Sequence, residues 1–351
     1  MSRSHDPHAR AIRISPIAIV GAVAGVLLFA YTLRAAGLGA VIAGARAVGP
    51  GFVLVLVLSG VRHFIRAAAW RTCVEPSERL RLRDAFVAFV TGDAIGNLTP
   101  FGPVASEGTK AVLVRPQLQS LGAVSSIALE NLFYGISVAV MVVVGALAFI
   151  YGFQPGTEIR AASLVTIASA FVAGASVWWL LSRQPRVLSG LGGWVVGRMP
   201  GSALTSRLQS LRALEDRIHG FAGRNRGRVG RILLLEFAFH AAAVAEAYLL
   251  VILLVGHSPL AFLQAVVLET VNRVITVVFK FVPLRVGVDE AGSGLLTGAL
   301  GLGPAPGVTM AVIRKARTLI WAAVGIALLV RRGFSVGTVV KQAETVLERK
   351  P

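Results

Sequence analysis

Charged side chains lie inside stretches of this sequence that are otherwise apolar, and their chemistry needs an explanation. An ionised side chain at the centre of a bilayer costs at least about 2.5 kcal/mol on insertion scales, so such residues usually face a polar cavity and carry function. Arg62 and Arg66 are four positions apart in one apolar run, so they share a helix face and could hold a lipid phosphate as a pair. The alternative is that both side chains reach toward the nearby cytoplasmic surface.

A larger group of charged and polar residues surrounds a break marked by Pro283 and Gly287. Its members are Glu269, Asn272, Arg273, Lys280, Arg285, Asp289 and Glu290. Glu269 and Arg273 have the spacing of a helical ion pair, so they can neutralise each other. Arg285 lies inside the break, where no helix fixes its direction, and its forked donors could meet a phosphate bidentately. Arg285 is therefore the leading phosphate-binding candidate.

A similar break, marked by Pro100 and Gly102, lies in the first third of the chain. The polar residues around it are Asp93, Asn97, Glu107 and Lys110. Asp93 and Asn97 share a face, where they could cap the interrupted helix and also contact a substrate. Glu107 could begin the next helix, or it could receive a proton or a cationic headgroup.

Further charges interrupt three other apolar runs. Glu130 has no neighbouring charge in the sequence, so it must be paired across helices or protonated, and the same holds for Glu246. Glu236 and His240 have helical spacing, which favours a local polar pair near the cytoplasmic end. Three cations in the last run are interpreted as a cavity-facing cluster: Arg314, Lys315 and Arg317.

No catalytic pattern accompanies these charges. The sequence has no GxSxG, HExxH, GxxxxGK[ST] or dinucleotide fingerprint, its six histidines lack ligand spacing, and its single cysteine, Cys73, permits no intramolecular disulfide. We therefore expect a protein without enzymatic activity, metal or cofactor. A membrane transferase that uses the carboxylates as acid and base is the alternative.

The composition identifies the bilayer as the main solvent of this chain. Of the 351 residues, 55% are hydrophobic and 15% charged, and the mean hydropathy of +0.73 excludes an ordinary soluble domain. The net charge of +18 is typical of basic cytoplasmic loops rather than of nucleic-acid binding. Such loops could also attract anionic lipid headgroups, so membrane lipids are the expected partners.

Six continuous apolar runs have about the 20 residues that a spanning helix requires. They cover 16–33, 51–70, 120–150, 159–181, 232–255 and 307–330. We interpret the first as a retained helix rather than a cleaved signal peptide. Basic residues cluster in the N-terminal tail, in 71–83, in 183–231 and after residue 330. The positive-inside rule then predicts a bacterial inner-membrane protein with both termini in the cytoplasm.

The two broken segments, about 84–115 and about 260–303, are predicted to be re-entrant helical hairpins that enter from opposite sides. In each, a glutamate follows the proline by seven positions. Backbone can leave helical geometry at membrane depth only where protein or a water-filled cavity satisfies its polar groups. This pattern is typical of inverted-topology repeats whose discontinuous helices form a substrate site near the midplane.

The predicted fold is therefore all-α and polytopic, with six full spans and two oppositely oriented hairpins. Residues 1–182 form one half and residues 232–351 the other, in inverted orientation. Residues 183–231 form an Arg-rich connector that lies along the cytoplasmic interface. A partner-binding role for this connector is the alternative to a lipid-contacting one.

At its two breaks the sequence resembles the transmembrane-domain family of lysylphosphatidylglycerol synthases, also described as flippase-like membrane proteins. The best match is Pro283-Leu-Arg-Val-Gly-Val-Asp-Glu290, preceded by Asn272-Arg273, and the likeness extends from about Ile14 to Arg332. In the first half Asn97 and Pro100 match, but Gly102-Pro103-Val104 stands where an Arg and a Gly are expected. The first-half basic site would then be Lys110, or Arg62 with Arg66.

The resemblance implies translocation or handling of a lipid within the bilayer. The chain ends about 20 residues after its last predicted span, so we expect it to lack the soluble synthase domain of bifunctional members. The segment NLTPFGPVASEGTK suggests the hopanoid-associated branch. The alternatives are a transferase that modifies a lipid headgroup and a non-transporting accessory protein that recruits a biosynthetic enzyme.

The expected substrate site combines cations for an anionic headgroup with carboxylates that balance them. Its residues are Arg285, Lys280, Arg273, Lys110, Arg62, Arg66, Glu107, Glu290, Glu130, Asn97 and Asn272. Proton coupling through one of the three glutamates is an open alternative, and rocking of the two halves would give alternating access.

Overall fold

The computed structural model describes residues 16–99, 102–183, 189–190, 202–280 and 282–333. Side chains are described from residue 26 onward and, in the helix that begins at Ser202, from residue 208. All regular structure in these ranges is helical, because a helix satisfies its own backbone polar groups where no water is available. The all-α prediction is confirmed.

The helices follow the apolar runs and their breaks closely. Their bounds are α1 Pro16–Ala36, α2 Leu38–Val48, α3 Gly51–Cys73, α4 Leu82–Leu98, α5 Gly102–Val114, α6 Ser120–Phe153, α7 Thr157–Arg183, α8 Ser202–Arg224, α9 Arg226–Val255, α10 Ala261–Val278, α11 Val288–Ala299 and α12 Pro304–Arg331, with a 3₁₀ turn at Pro283–Arg285 between α10 and α11.

Several of these helices can cross a membrane. Among the described residues, α3, α6, α7, α9 and α10 are long and apolar enough, and α1 with α2 would add a sixth span that bends by 85°. Helix α12 has 28 residues but carries three cations in its first half. Helix α9 begins at Arg226, six residues before the predicted start of its span. The chain is therefore a membrane protein with several spans.

The outer surface of the helices is apolar, as contact with lipid requires. Leu181 is the one residue that α7 buries, while Phe171, Trp178 and Trp179 are exposed on it. Tyr151, at the opposite end of the neighbouring α6, is 76% exposed. Aromatic side chains at the two ends of spanning helices are typical of the two membrane interfaces.

The predicted hairpins are two pairs of helices separated by short breaks. Helices α4 and α5 pack along each other, and Gly102 begins α5 so close to α4 that a Cβ atom would lie 2.2 Å from the Gly96 carbonyl oxygen. Gly287 follows the second break with a φ of 83°, which a residue with a side chain rarely adopts. Pro100 lies outside the described residues.

The two interrupted segments meet. Helix α4 packs against α12 and also contacts the 3₁₀ turn, while α10 packs against α6 and α11 packs along α12. Helices α3 and α9 lie against each other between these pairs. Helices α5 and α11 have 13 and 12 residues, fewer than the roughly 20 that a span requires.

Most of the described part of the connector is α8, which packs against α6 and α7. Its Phe221 is buried against Leu129 and Phe133 of α6. Arg217 pairs with Glu78, and Arg224 Nη2 lies 2.6 Å from Glu75 Oε1, so α8 is fastened to the loop between α3 and α4. Residues 184–188 and 191–201 of the predicted connector lie outside the described residues.

Apolar clusters lie on either side of a charged zone in the central helices. On α3, Val55 belongs to one buried cluster and Trp70 to another. On α9, Ile232 lies in a buried cluster near α8, whereas Leu250 lies in the same cluster as Val55. The buried charges of these two helices, Arg62, Arg66, Glu236 and Glu246, fall between these pairs of residues.

Candidate functional site: a buried layer of ion pairs

Nine charged side chains from five helices form one buried layer, which we call the buried charge layer. Its members are Arg62, Arg66, Arg273, Arg314, Arg317, Glu130, Glu236, Glu246 and Glu269. No side chain among them is more than 14% exposed. Four of the predicted site residues are members of this layer.

The two arginines of α3 face glutamates on neighbouring helices. Arg62 Nη1 lies 2.9 Å from Glu246 Oε2 of α9. Arg66 Nη2 lies 2.6 Å from Glu130 Oε1 of α6, and its Nη1 lies 3.5 Å from Glu236 Oε2 of α9. The shared helix face that the spacing predicts is present, and both guanidinium groups point into the protein. Glu130 is paired across helices, which is one of its two predicted states.

Glu269 is the counter-ion of two arginines. Arg273, one turn away on α10, has Nη2 2.5 Å from Glu269 Oε1, so the predicted ion pair forms. Arg314 of α12 places Nη2 3.0 Å from Glu269 Oε2, and Asn272 donates to the same oxygen at 3.3 Å. Arg273 also donates to the Tyr134 hydroxyl at 3.0 Å. Glu269 thereby joins α10 to α12, and its partner Arg273 joins α10 to α6.

Glu246 of α9 is likewise the counter-ion of two arginines. Besides Arg62 of α3 it pairs with Arg317 of α12, so its carboxylate also serves two guanidinium groups. The layer thus contains two arginine pairs that each share one glutamate, while Arg66 alone lies between two glutamates. Five cations face four anions in it. Arginines 314 and 317 of the predicted cavity-facing cluster are engaged in this layer.

Glu236 and His240 are connected through a third residue rather than to each other. His240 Nε2 lies 3.0 Å from Ser137 Oγ of α6, and the same hydroxyl donates to Glu236 Oε2 at 3.3 Å. The prediction of a local pair on α9 is corrected in this respect, since the connection runs through a neighbouring helix. Glu236 Oε1 and His240 Nδ1 are buried without a hydrogen-bond partner among the described residues.

An aromatic ring lies among the three arginines of α3 and α10. The guanidinium carbons of Arg62, Arg66 and Arg273 are 5.1, 5.5 and 5.1 Å from the centre of the Phe239 ring. Arg66 also lies 3.8 Å from the centre of the Tyr134 ring. Cation–π contacts of this kind are worth about 0.5–2 kcal/mol each, and more where water is absent.

A second group of charges, which we call the hairpin cluster, lies at the break between α10 and α11. Arg285 Nε donates to Asp289 Oδ1 at 3.1 Å, and Lys315 Nζ lies 3.3 Å from Asp289 Oδ2 and 2.8 Å from Glu290 Oε1. Glu290 Oε2 accepts a hydrogen bond from the Gly287 amide at 2.8 Å. This carboxylate therefore caps α11 and neutralises a lysine at once.

The backbone at Arg285 has an unusual conformation. Leu284 and Arg285 have φ values of 50° and 48°, in the left-handed region that residues with side chains seldom occupy. Such a conformation costs on the order of 1–3 kcal/mol and persists only where the surroundings enforce it. The contacts of the Arg285 side chain with the described residues run through Nε, so its two terminal nitrogens are available to a ligand.

A protein-family model described as "Lysylphosphatidylglycerol synthase TM region" matches residues 17–326. The chain belongs to this family. The match includes every residue of the buried charge layer and of the hairpin cluster, and it confirms the resemblance predicted from the two breaks. No curated protein and no solved structure matches the chain.

The first-half site of this family member is smaller than the second. Lys110 Nζ lies 3.2 Å from Glu107 Oε1 and 4.4 Å from the centre of the Phe89 ring. Asn97 donates to the Asp93 carbonyl oxygen at 2.9 Å, one turn earlier in α4. Helix α5 begins at Gly102, so Glu107 lies inside this helix, and of its two predicted roles the one at the helix start is excluded. Glu290 is the glutamate in the first turn of a helix that follows a break.

The remaining predicted site residue is separate from both groups. Lys280 is exposed on the turn that follows α10, and it forms no ion pair with the described residues.

Within the described residues, no group of three histidine, cysteine or carboxylate side chains could hold a metal ion. An apolar cavity of about 190 Å³ lies elsewhere, between α6, α7, α8 and α9, and none of the predicted site residues lines it.

Sequence reasoning missed Ser137, Tyr134 and Phe239. All three lie in apolar runs where a hydroxyl or a ring is unremarkable, and the sequence offers no sign that a guanidinium group will lie beside them. Their helical spacing from known charges was the available signal. Ser137 is seven positions after Glu130, and Phe239 is three after Glu236, so each lies on the same helix face as a buried carboxylate.

Proposed function

We propose that this protein is a lipid translocase that moves a lipid with an anionic or polar headgroup through the membrane interior. The observation that carries the proposal is the buried charge layer, to which α10 of the second interrupted segment contributes Glu269 and Arg273. Ionisable residues within membrane segments are costly, and in transport proteins they line the path of a charged substrate. The family match supports a role in lipid handling.

The charge distribution supports an anionic headgroup. Arg62 and Arg317 share Glu246, and Arg273 and Arg314 share Glu269, so each of these groups has one positive charge in excess. The pair of glutamates around Arg66 offsets only one of these excesses. A phosphate near the two arginine pairs would neutralise the layer, and guanidinium groups bind phosphate with favourable forked geometry.

Arg285 is the proposed point of first contact for the headgroup. Its side chain is 20% exposed, more than any side chain of the buried charge layer, and its terminal nitrogens are available. Lys315 lies beside it and connects it to α12. A headgroup held by Arg285 would pass from the hairpin cluster toward Arg314, which is one position from Lys315 on the same helix.

We also propose that the two halves are inverted repeats and that rocking between them gives alternating access. The packing supports this, since α4 packs on α12 as α10 packs on α6, and α3 packs on α9. The short α5 and α11 fit re-entrant segments that enter from opposite sides. The membrane would be the bacterial inner membrane, with both termini in the cytoplasm. The proposal includes no covalent step and no nucleotide.

The test is movement of a labelled lipid in liposomes that contain the purified protein. Arg285→Gln should reduce the rate at least about tenfold, which corresponds to about 1.4 kcal/mol of lost stabilisation. The matched control is Arg160→Gln, since Arg160 is exposed on α7 and forms no ion pair with the described residues. Equal rates for both variants, or no movement with the wild type, would refute the proposal.

The same liposomes separate the rival functions. Mass spectrometry of the labelled lipid distinguishes translocation, which leaves the mass unchanged, from transfer of a group onto the headgroup. Parallel liposomes with phosphatidylglycerol or with a polar hopanoid test the lipid class. An accessory protein that recruits a biosynthetic enzyme would move neither lipid. It would lose its partner when the connector arginines are replaced, whereas Arg285→Gln would have no effect.

A further inference from the structure

Phe239 has an unusual position for an apolar side chain in a protein of this kind. Its ring lies in the buried charge layer, with three guanidinium carbons within 5.1 to 5.5 Å of its centre. The side chain is 7% exposed, and it also packs edge-on against Tyr134 at 5.9 Å. Several positive charges thus converge on a group that carries no charge.

The arginines around the ring retain unused hydrogen-bonding capacity. Arg62 Nε and Arg273 Nε are both buried without a hydrogen-bond partner among the described residues. Unsatisfied buried donors are uncommon, because each one loses the hydrogen bonds that water would have given it. The face of a phenyl ring attracts cations, but it replaces a hydrogen-bond acceptor only weakly.

The charge balance of the layer also favours an anion beside these arginines. Arg62 and Arg273 belong to the two arginine pairs that each share a single glutamate. The space between them is therefore flanked by the two groups that each have an excess positive charge, whereas Arg66 on its third side lies between two glutamates. A phosphate group is no larger than the benzyl group that fills this space, and its oxygens could accept from both free Nε donors.

We propose that the space between Arg62, Arg66 and Arg273 is the binding site for the phosphate of the translocated lipid, and that Phe239 fills it in the closed state. The ring does not neutralise the arginines, but it keeps water out of the site while no lipid is bound. Displacement of the ring, through a rotamer change or a shift of α9 against α3, would open the site. This proposal rests on the proposed translocase function and names the position of its substrate phosphate.

The first experiment measures anion binding to the purified full-length protein in detergent. The probes are sn-glycerol 3-phosphate, which represents a lipid headgroup, and inorganic phosphate. Phe239→Ala should bind glycerol phosphate at least about tenfold more tightly than the wild type, because the site is permanently vacated. The double variant F239A/R62Q should lose this gain. Tighter binding of inorganic phosphate alone would assign the site to free phosphate instead of a lipid headgroup.

The matched control is Phe237→Ala. Phe237 lies on the same helix two positions earlier and is 71% exposed on the lipid-facing side. It should leave anion binding at the wild-type level. If F239A folds and binds both anions no better than F237A, the proposal is overturned. If F239A is not recovered as folded protein, F239V answers the same question, because valine remains apolar but leaves much of the space of the ring empty.

Lipid movement in liposomes separates this proposal from the proposed function. Phe239→Trp, which overfills the site, should slow the movement of a labelled anionic lipid at least about tenfold relative to the wild type. Anion binding that appears in F239A and depends on Arg62, without lipid movement by the wild type, would retain the site and refute the translocase. Lipid movement by the wild type without any gain of anion binding in F239A or F239V would refute the phosphate site and retain the translocase.

Discussion

Replacing Glu269 with glutamine removes a negative charge at a point where it neutralises two arginines. The glutamate is 1% exposed, and Arg273 and Arg314 lie 2.5 and 3.0 Å from its two oxygens. Loss of one partner from a buried ion pair costs about 3–5 kcal/mol, because the remaining charge has neither water nor a counter-ion. Arg273 keeps the Tyr134 hydroxyl, so we expect a loss of about 3–5 kcal/mol in the free energy of unfolding rather than twice that.

The measurement is unfolding by sodium dodecyl sulfate in mixed micelles, followed by the fluorescence of the five tryptophans. The matched control is Glu75→Gln, which removes the same charge from a pair whose arginine, Arg224, is 56% exposed. An exposed pair contributes about 0–1 kcal/mol, so this control should stay within 1 kcal/mol of the wild type.

A double variant tests the physical reason for the loss. Glu269→Gln combined with Arg314→Gln removes one charge of each sign, so it should recover at least about 1 kcal/mol of the stability that Glu269→Gln loses. A loss below about 1 kcal/mol in Glu269→Gln itself would mean that water reaches this carboxylate. That result would refute the description of the buried charge layer as closed, and with it the role proposed for Phe239.

Three further predictions concern the fold. Gly102→Ala should destabilise the protein by about 1–3 kcal/mol in the same assay, since the added carbon meets the α4 backbone, whereas Gly135→Ala, with open space around it, should not. Cys73, which is 2% exposed, should react with a maleimide only after unfolding; rapid labelling of the folded protein would contradict its burial. In a Cys73→Ser background, Gly156→Cys should be labelled from outside the cell and Gly223→Cys only after permeabilisation; the opposite result would reverse the proposed orientation.

Much of the helical framework could be predicted from local sequence. The apolar runs predict α3, α6, α7 and α9, because each must by itself offer lipid an apolar surface of sufficient length. The break at Pro283 was also predictable from local sequence, because proline lacks the amide that a continuing helix needs. The position of Glu107 within its helix was not predictable, because the start of α5 depends on the close approach of Gly102 to α4.

The sequence predicts that the buried charges need partners, but for most of them it does not predict which partner. That Glu130 needs a partner follows from its place in an apolar run, but its choice of Arg66 does not. Glu269 and Arg273 were predictable as a pair because one helical turn connects them. Arg62 and Glu246 are separated by 184 positions, so their contact depends on how α3 and α9 pack.

The sequence by itself determined that this chain is a membrane protein, where its helices are interrupted, and that its apolar runs contain charged side chains of both signs. These properties follow from residue type and local spacing, because a bilayer imposes the same cost on any buried charge wherever it lies. Only the tertiary structure decided which carboxylates and arginines pair between different helices and that the Phe239 ring lies among three arginines. Those relations depend on distances between helices far apart in the chain, and no local pattern encodes them.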